Sequence, residues 1–215
     1  IRDISHFKSK SGNPIAAATA VLSGDNLASA GAVHLAVNRL ATVGSRPSLG
    51  NIQIIVPEDL SEKSIKELVG AAAESCEKLQ IASVQADVTA AAGLKEPMIT
   101  VMASGESGSL FESEKACADQ DIIMAGYTGG YGAAKLTFAN EAELENHFNS
   151  VFLSPILEAD YTGDAISTVK AVETAAAAGV RTMYACGEGG VYSAVWELTE
   201  NAGLGARIQL KKVPL

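Results

Sequence analysis

Apolar positions between Ala28 and Val43 recur at helical spacing, with Val33, Val37, Leu40 and Ala41 on one face and Gly44 behind them as a natural stop. That spacing predicts a helix, followed by a strand over Asn51–Val56 that Pro57 ends. Ile65, Leu68, Val69, Ala72, Cys76 and Leu79 then predict a second amphipathic helix. Asp59 and Glu62 stand before it at capping-box spacing, and Cys76 falls on its core face. From Ile81 to Thr89 the pattern changes to alternation. Ala82, Val84, Ala86 and Val88 point one way and Ser83, Gln85, Asp87 and Thr89 the other, which predicts a strand with one buried face. Met98–Ala103 reads as a further strand.

The stretch Gly105–Gln120 (GESGSLFESEKACADQ) is polar and rich in glycine and serine, so it reads as a join between domains 1–107 and 108–215. Beyond it, Asp121–Ala125 predicts a strand, then comes the turn Gly126-Tyr127-Thr128-Gly129-Gly130-Tyr131-Gly132, then helical segments from Ala133 to Phe152. Asp164 is placed to cap another helix, with Ile166, Val169, Val172 and Ala176 inward and Gly179 as its stop. Val180–Tyr184 predicts a short strand. Gly187-Glu188-Gly189-Gly190 opens a helix over Val191–Asn201, and Ala206, Ile208 and Leu210 alternate as a last strand. The expected class is two-domain α/β (α+β), its second α/β domain ending without closing elements.

Composition narrows the function classes. The 215 residues are 47% hydrophobic and 19% charged, enough apolar material for a core and too little charge for a disordered chain. A net charge of −9 argues against a nucleic-acid partner, which needs a basic face to displace counterions. No apolar run is long enough for a membrane span. Cys76, Cys117 and Cys186 are odd in number and widely spaced, giving neither a disulfide framework nor a zinc spacing. With no signal peptide, the expected location is cytoplasmic. The chain starts at Ile1 without methionine, which suggests a processed, trimmed or partial chain.

The candidate chemistry lies in the two glycine turns. A glycine turn between strand and helix can aim backbone N–H groups and a helix N-terminus at an anion. Gly126, Gly129, Gly130 and Gly132 have that setting, without G-x-G-x-x-G spacing or the lysine of a P-loop, so they are either a phosphate cradle or a plain tight turn. Glu188, Gly189 and Gly190 repeat the setting, with Glu188 either a ligand or a surface acid. His34 lies beside the apolar stripe of its helix and reads as structural, and His147 lies on a polar segment and reads as solvated. Cys186, near a helix start, is either a thiol of lowered pKa or a small filler.

Three segments together resemble one family. Ala32-Val33-His34-Leu35-Ala36-Val37-Asn38-Arg39-Leu40-Ala41 with Gly44-Ser45-Arg46-Pro47 resembles the "LAVHxAVNDLAxxGAxP" helix of the aminoimidazole ribonucleotide (AIR) synthase, or PurM-like, superfamily. Ile81–Thr89 followed by Lys95-Glu96-Pro97-Met98-Ile99-Thr100-Val101 resembles its "IVGGHTEVT…PVVTVTA" strand pair. Gly187-Glu188-Gly189-Gly190-Val191, Trp196-Glu197-Leu198 and Gly203-Leu204-Gly205 resemble "DxTEGGxxxALWELAEASGxG". The match looks closest to the AIR synthase-related and hydrogenase-maturation (HypE-like) branch. The resemblance implies a PurM-like two-domain fold, a homodimer whose N-terminal sheets pair into a barrel, and ATP with Mg²⁺ in a cleft over the first domain.

The departures from the family pattern fall on its metal-binding acids. The aspartate of "VND" is Arg39, only Asp87 remains of "GGHTE", the "TDP" position falls near Ala18-Thr19-Ala20, and "HDxTEGG" is Tyr184-Ala185-Cys186-Gly187-Glu188-Gly189-Gly190. Magnesium wants oxygen ligands in near-octahedral geometry, and a guanidinium repels it. Arginine instead suits a carboxylate or phosphate through its planar fork. The expectation is therefore a catalytically degenerate homodimer that binds an anionic small molecule or a partner protein without metal. Its ligand residues would be Arg39, Asp87, Gly126, Gly129, Gly130, Gly132, Glu188, Gly189 and Gly190. An active ATP-dependent enzyme with altered metal ligands is the alternative. The cysteine that accepts a carbamoyl group in the hydrogenase-maturation branch has no counterpart among the three present.

Overall fold

Alternation of small apolar residues puts Ala16, Ala18, Ala20 and Leu22 on one face of a strand, β2 (Pro14–Ser23), which pairs antiparallel with β1 (Ile4–Lys8). These belong to a computed structural model that describes residues 4–10, 12–106 and 116–214. The chain continues through α1 (Asn26–Ala41), β3 (Leu49–Pro57), α2 (Glu62–Lys78), β4 (Ser83–Ala91) and β5 (Met98–Glu106). The five strands form one sheet in the order β1-β2-β5-β3-β4, in which β3 and β4 run parallel and the other pairs antiparallel. A parallel pair needs a crossover, and α2 supplies it.

One face of the sheet carries the core. Ala18 and Ala20 of β2 and Ile99, Val101 and Ala103 of β5 lie under the buried side of α1, where Val33, Val37 and Leu40 are fully enclosed, and Ile52, Ile54 and Val56 of β3 extend the same core toward α2. α1 is buried on most of its circumference because the sheet lies beneath it and α2 and the C-terminal half flank it. It starts at Asp25, whose side chain accepts from Leu27 N at 3.0 Å. It ends where Gly44 takes φ +71° and Ser45 N returns to Leu40 O, a glycine-terminated stop.

Three local expectations need correcting in this half. α2 is capped by Ser61, whose hydroxyl accepts from Ser64 N at 3.1 Å; Asp59 lies in the preceding turn and Glu62 opens the helix. β4 is exposed on both faces, Val84 and Val88 included, because it is an edge strand that the helices do not reach. Gly105 belongs to β5 rather than to a join, and residues 107–115 of that expected join lie outside the described residues.

The second half is helical: α3 (Gly130–Ala139), α4 (Glu141–His147), α5 (Ser150–Leu157), α6 (Val169–Ala177) and α7 (Gly190–Glu200), then a 3-10 turn at Leu210–Lys212. Among the described residues, the strands expected at 121–125, 180–184 and 206–210 do not form. A strand exists only with a ladder partner, and these segments pair with none. α6 starts at Thr168 rather than at Asp164, which sits in the turn before it and contacts Lys170 Nζ at 3.2 Å.

Candidate functional site

The turn before α7 lies against the outer side of α1. A Cβ on Gly187 would stand 3.4 Å from Arg39 Nη2 and 3.6 Å from Leu35 Cδ1, so a glycine there lets the backbone approach the helix. Between α1, β2 and α7 is a cleft of about 170 Å³, lined by Arg39 and Leu35 of α1, Val21 of β2, the turn Gly187–Gly190, and Tyr184, Ser193 and Glu197. Arg39 is half-buried there and donates through Nη1 to the carbonyl of Thr19 on β2. α7 starts at Gly190 with Gly189 as its N-cap and no side-chain cap; the Gly190 N–H donates to Gly187 O at 2.9 Å, and the next N–H groups of the first turn have no side-chain cap.

Arg39, Glu188, Gly189 and Gly190 are thus brought together, and so are three places where the sequence departs from the resembled family: Thr19, Arg39 and the 184–190 segment. The other expected ligand residues lie elsewhere. Asp87 is on the edge strand, its carboxylate accepting from Gln53 Nε2 at 2.9 Å. Register places it in the row Val21, Thr100, Gln53, Asp87, three strand spacings or about 14 Å from the β2 end of the cleft. Gly126, Gly129, Gly130 and Gly132 are exposed at the start of α3 and do not line the cleft; Gly126 and Gly129 take positive φ, which the turn requires. Their neighbour Tyr131 turns inward and packs against α1 at Gly31. Burial first, and then the charges of Asp25 and Glu188, push its hydroxyl up to about 12.

Sequence reasoning passed over Tyr184, Ser193 and Glu197 as ligand residues. Ser193 and Glu197 are four residues apart on α7, a spacing that puts both on the face opened by the glycine turn. Tyr184 donates its hydroxyl to Glu197, and the Ser193 hydroxyl reaches Oε1 of the same carboxylate at 3.4 Å. The two histidines stand as read. His34 is buried and bonded to Thr162 O at 2.9 Å, and His147 is exposed. Cys76 is buried and its thiol is pushed up to about 11 by desolvation. For Cys186, desolvation raises the thiol pKa, against the lowering that a nearby helix start suggested.

The donor set does not fit a magnesium-bound triphosphate. The Arg39 guanidinium lines the cleft and adds positive charge where a ligand oxygen would be needed, and among the described lining residues only Glu188 and Glu197 carry carboxylates. Among the described residues, no three of His, Cys, Asp and Glu cluster as a metal site would need. No helix among them is long and apolar enough to cross a membrane.

No family model matches the chain. A protein of Methanocaldococcus jannaschii assigned by name to hydrogenase expression/formation is 22% identical over 188 residues, covering 86% of this chain and 52% of that protein. The chain therefore spans about half the length of that curated relative. The structure titled AaThiL complexed with AMPPCP and TMP aligns with a TM-score of 0.72 at 16% identity, covering 99% of this chain and 68% of that one. A chain of the HypE-HypF complex aligns with a TM-score of 0.70 at 19% identity, covering 100% of this chain and 68% of that one.

Proposed function

From the PurM-like fold shared with HypE and ThiL as premise, we propose that this chain is a catalytically degenerate relative of the AIR synthase and hydrogenase-maturation proteins that binds an anionic small molecule without metal, as a homodimer. One observation carries the reading. Arg39, standing at a family metal position, meets the turn Gly187–Gly190 and the uncapped start of α7 in a single cleft. A planar fork beside a helix N-terminus is suited to a carboxylate or phosphate. It is unsuited to the hard cation that brings ATP into such clefts, since it adds positive charge where a ligand oxygen would be needed.

Calorimetry with inorganic phosphate, with ATP alone and with ATP plus Mg²⁺ tests it. Expected is no metal-dependent uptake of ATP, and any anion bound by the parent weakened about tenfold or more in Arg39→Ala, the loss of a charge-assisted bond. Metal-dependent binding of ATP would instead favour the alternative, an active ATP-dependent enzyme with altered metal ligands. The open sheet face and the HypE-HypF complex support a protein partner as well. The first such partner is a second copy of this chain.

A further inference from the structure

The cleft that holds Arg39 contains more negative charge than an anion site calls for. Glu188 and Glu197 line it together with the single guanidinium. Glu197 is held in place from two sides, by the Tyr184 hydroxyl on one oxygen and the Ser193 hydroxyl on the other. A carboxylate oxygen has two lone pairs, so both oxygens keep room for a further donor from a ligand. A ligand anionic throughout would suit Arg39 and be opposed by two like charges in the same cleft, whereas a ligand that also carries a cationic donor matches both kinds of lining group.

We infer that the cleft takes a small zwitterion of the α-amino-acid class. Its carboxylate lies on Arg39 and the first-turn N–H groups of α7, and its ammonium lies on Glu197 and Glu188. This rests on the reading above, in which Arg39 receives the anionic end. Tyr184 and Ser193 are positioning residues: they hold the Glu197 carboxylate toward the cleft and leave the ligand's ammonium to complete its hydrogen bonds.

Calorimetry on the whole chain tests the inference with matched pairs. L-alanine, L-serine and L-aspartate are compared with propionate, 3-hydroxypropionate and succinate, which lack only the amine. At least one amino acid is expected to bind saturably, about tenfold or more tighter than its deaminated partner. Glu197→Gln, which keeps an oxygen for Tyr184, should bring that ratio close to one, and Arg39→Ala should abolish both members of the pair. Thermal melting of each variant establishes that it is folded. A deaminated acid that binds as tightly as its amino acid, a ratio unmoved by Glu197→Gln, or no binding of any of the three amino acids overturns the inference. In the first case the metal-free anion reading survives. Uptake of ATP that depends on Mg²⁺ defeats that reading itself.

Discussion

His34 shows what a single buried polar side chain does here. It sits on α1 with 1% exposure. Its Nε2 donates to the carbonyl of Thr162, and Nδ1 is buried without a hydrogen-bond partner. Burial lowers its pKa below the ordinary 6.5, outweighing the Thr162 bond and the charge of Asp160, both of which raise it. Between the two values the unfolded chain takes up a proton that the folded chain refuses, so stability is full above about pH 6.5 and falls as the pH drops below it. The melting temperature should therefore decrease from about pH 7 to about pH 5 more steeply in the parent than in His34→Gln. Equal slopes would show that other groups set the acid limb. Asn38, one turn further along α1, is also structural. Its amide donates to Ile166 O and accepts from Thr168 N, both at 2.9 Å, fastening the start of α6 to α1. Arg39 was legible from the sequence as a departure; its contact with Thr19 was not, because the two are joined only when β2 packs beside α1.

At the scale of elements, close approach matters more than hydrophobicity at Gly105. A Cβ there would lie 1.8 Å from the carbonyl oxygen of Arg46, and both partners are backbone, so neither can swing aside. Gly105→Ala should destabilise the fold by roughly 3 kcal/mol or more in urea unfolding. Gly70→Ala is the contrast: Gly70 is exposed within α2 with nothing near its missing Cβ, so removing helix-interior glycine should add roughly 0.5–1 kcal/mol. A loss at Gly70 as large as that at Gly105 would mean that packing at Arg46 is not the cause. The helices α1 and α2 were legible because a 3.6-residue stripe survives any context. The alternation in β4 was legible as a strand but misleading as to burial, since period two records a pleat and says nothing about what covers it. β1 and β2 carried little contrast, as β2 builds its inward face largely from alanine.

For the whole molecule, the sheet has one covered face and one open face. On the open face Val21, Leu49, Met98 and Met102 are 38–47% exposed, with Met102 on the central strand β5 between Thr19 and Asn51. The homodimer proposed above would use this face. Sedimentation of the parent should give a dimer and Met102→Asp a monomer that stays folded, because the substituted side chain points away from the core. A parent that remains monomeric at every concentration would remove the dimer from the proposal.

By itself the sequence determined the amphipathic helices, the glycine stops, the acidic balance and the three segments whose order announces the fold, because these depend on spacing along the chain. The tertiary structure alone decided which distant residues share a space. Arg39 and the turn at Gly187–Gly190 share one cleft, while Asp87 is left on a far edge and the turn at Gly126–Gly132 on the surface. It also decided that 121–125, 180–184 and 206–210 form no sheet. Periodicity can announce a strand, but only a neighbour with free N–H and C=O groups makes one.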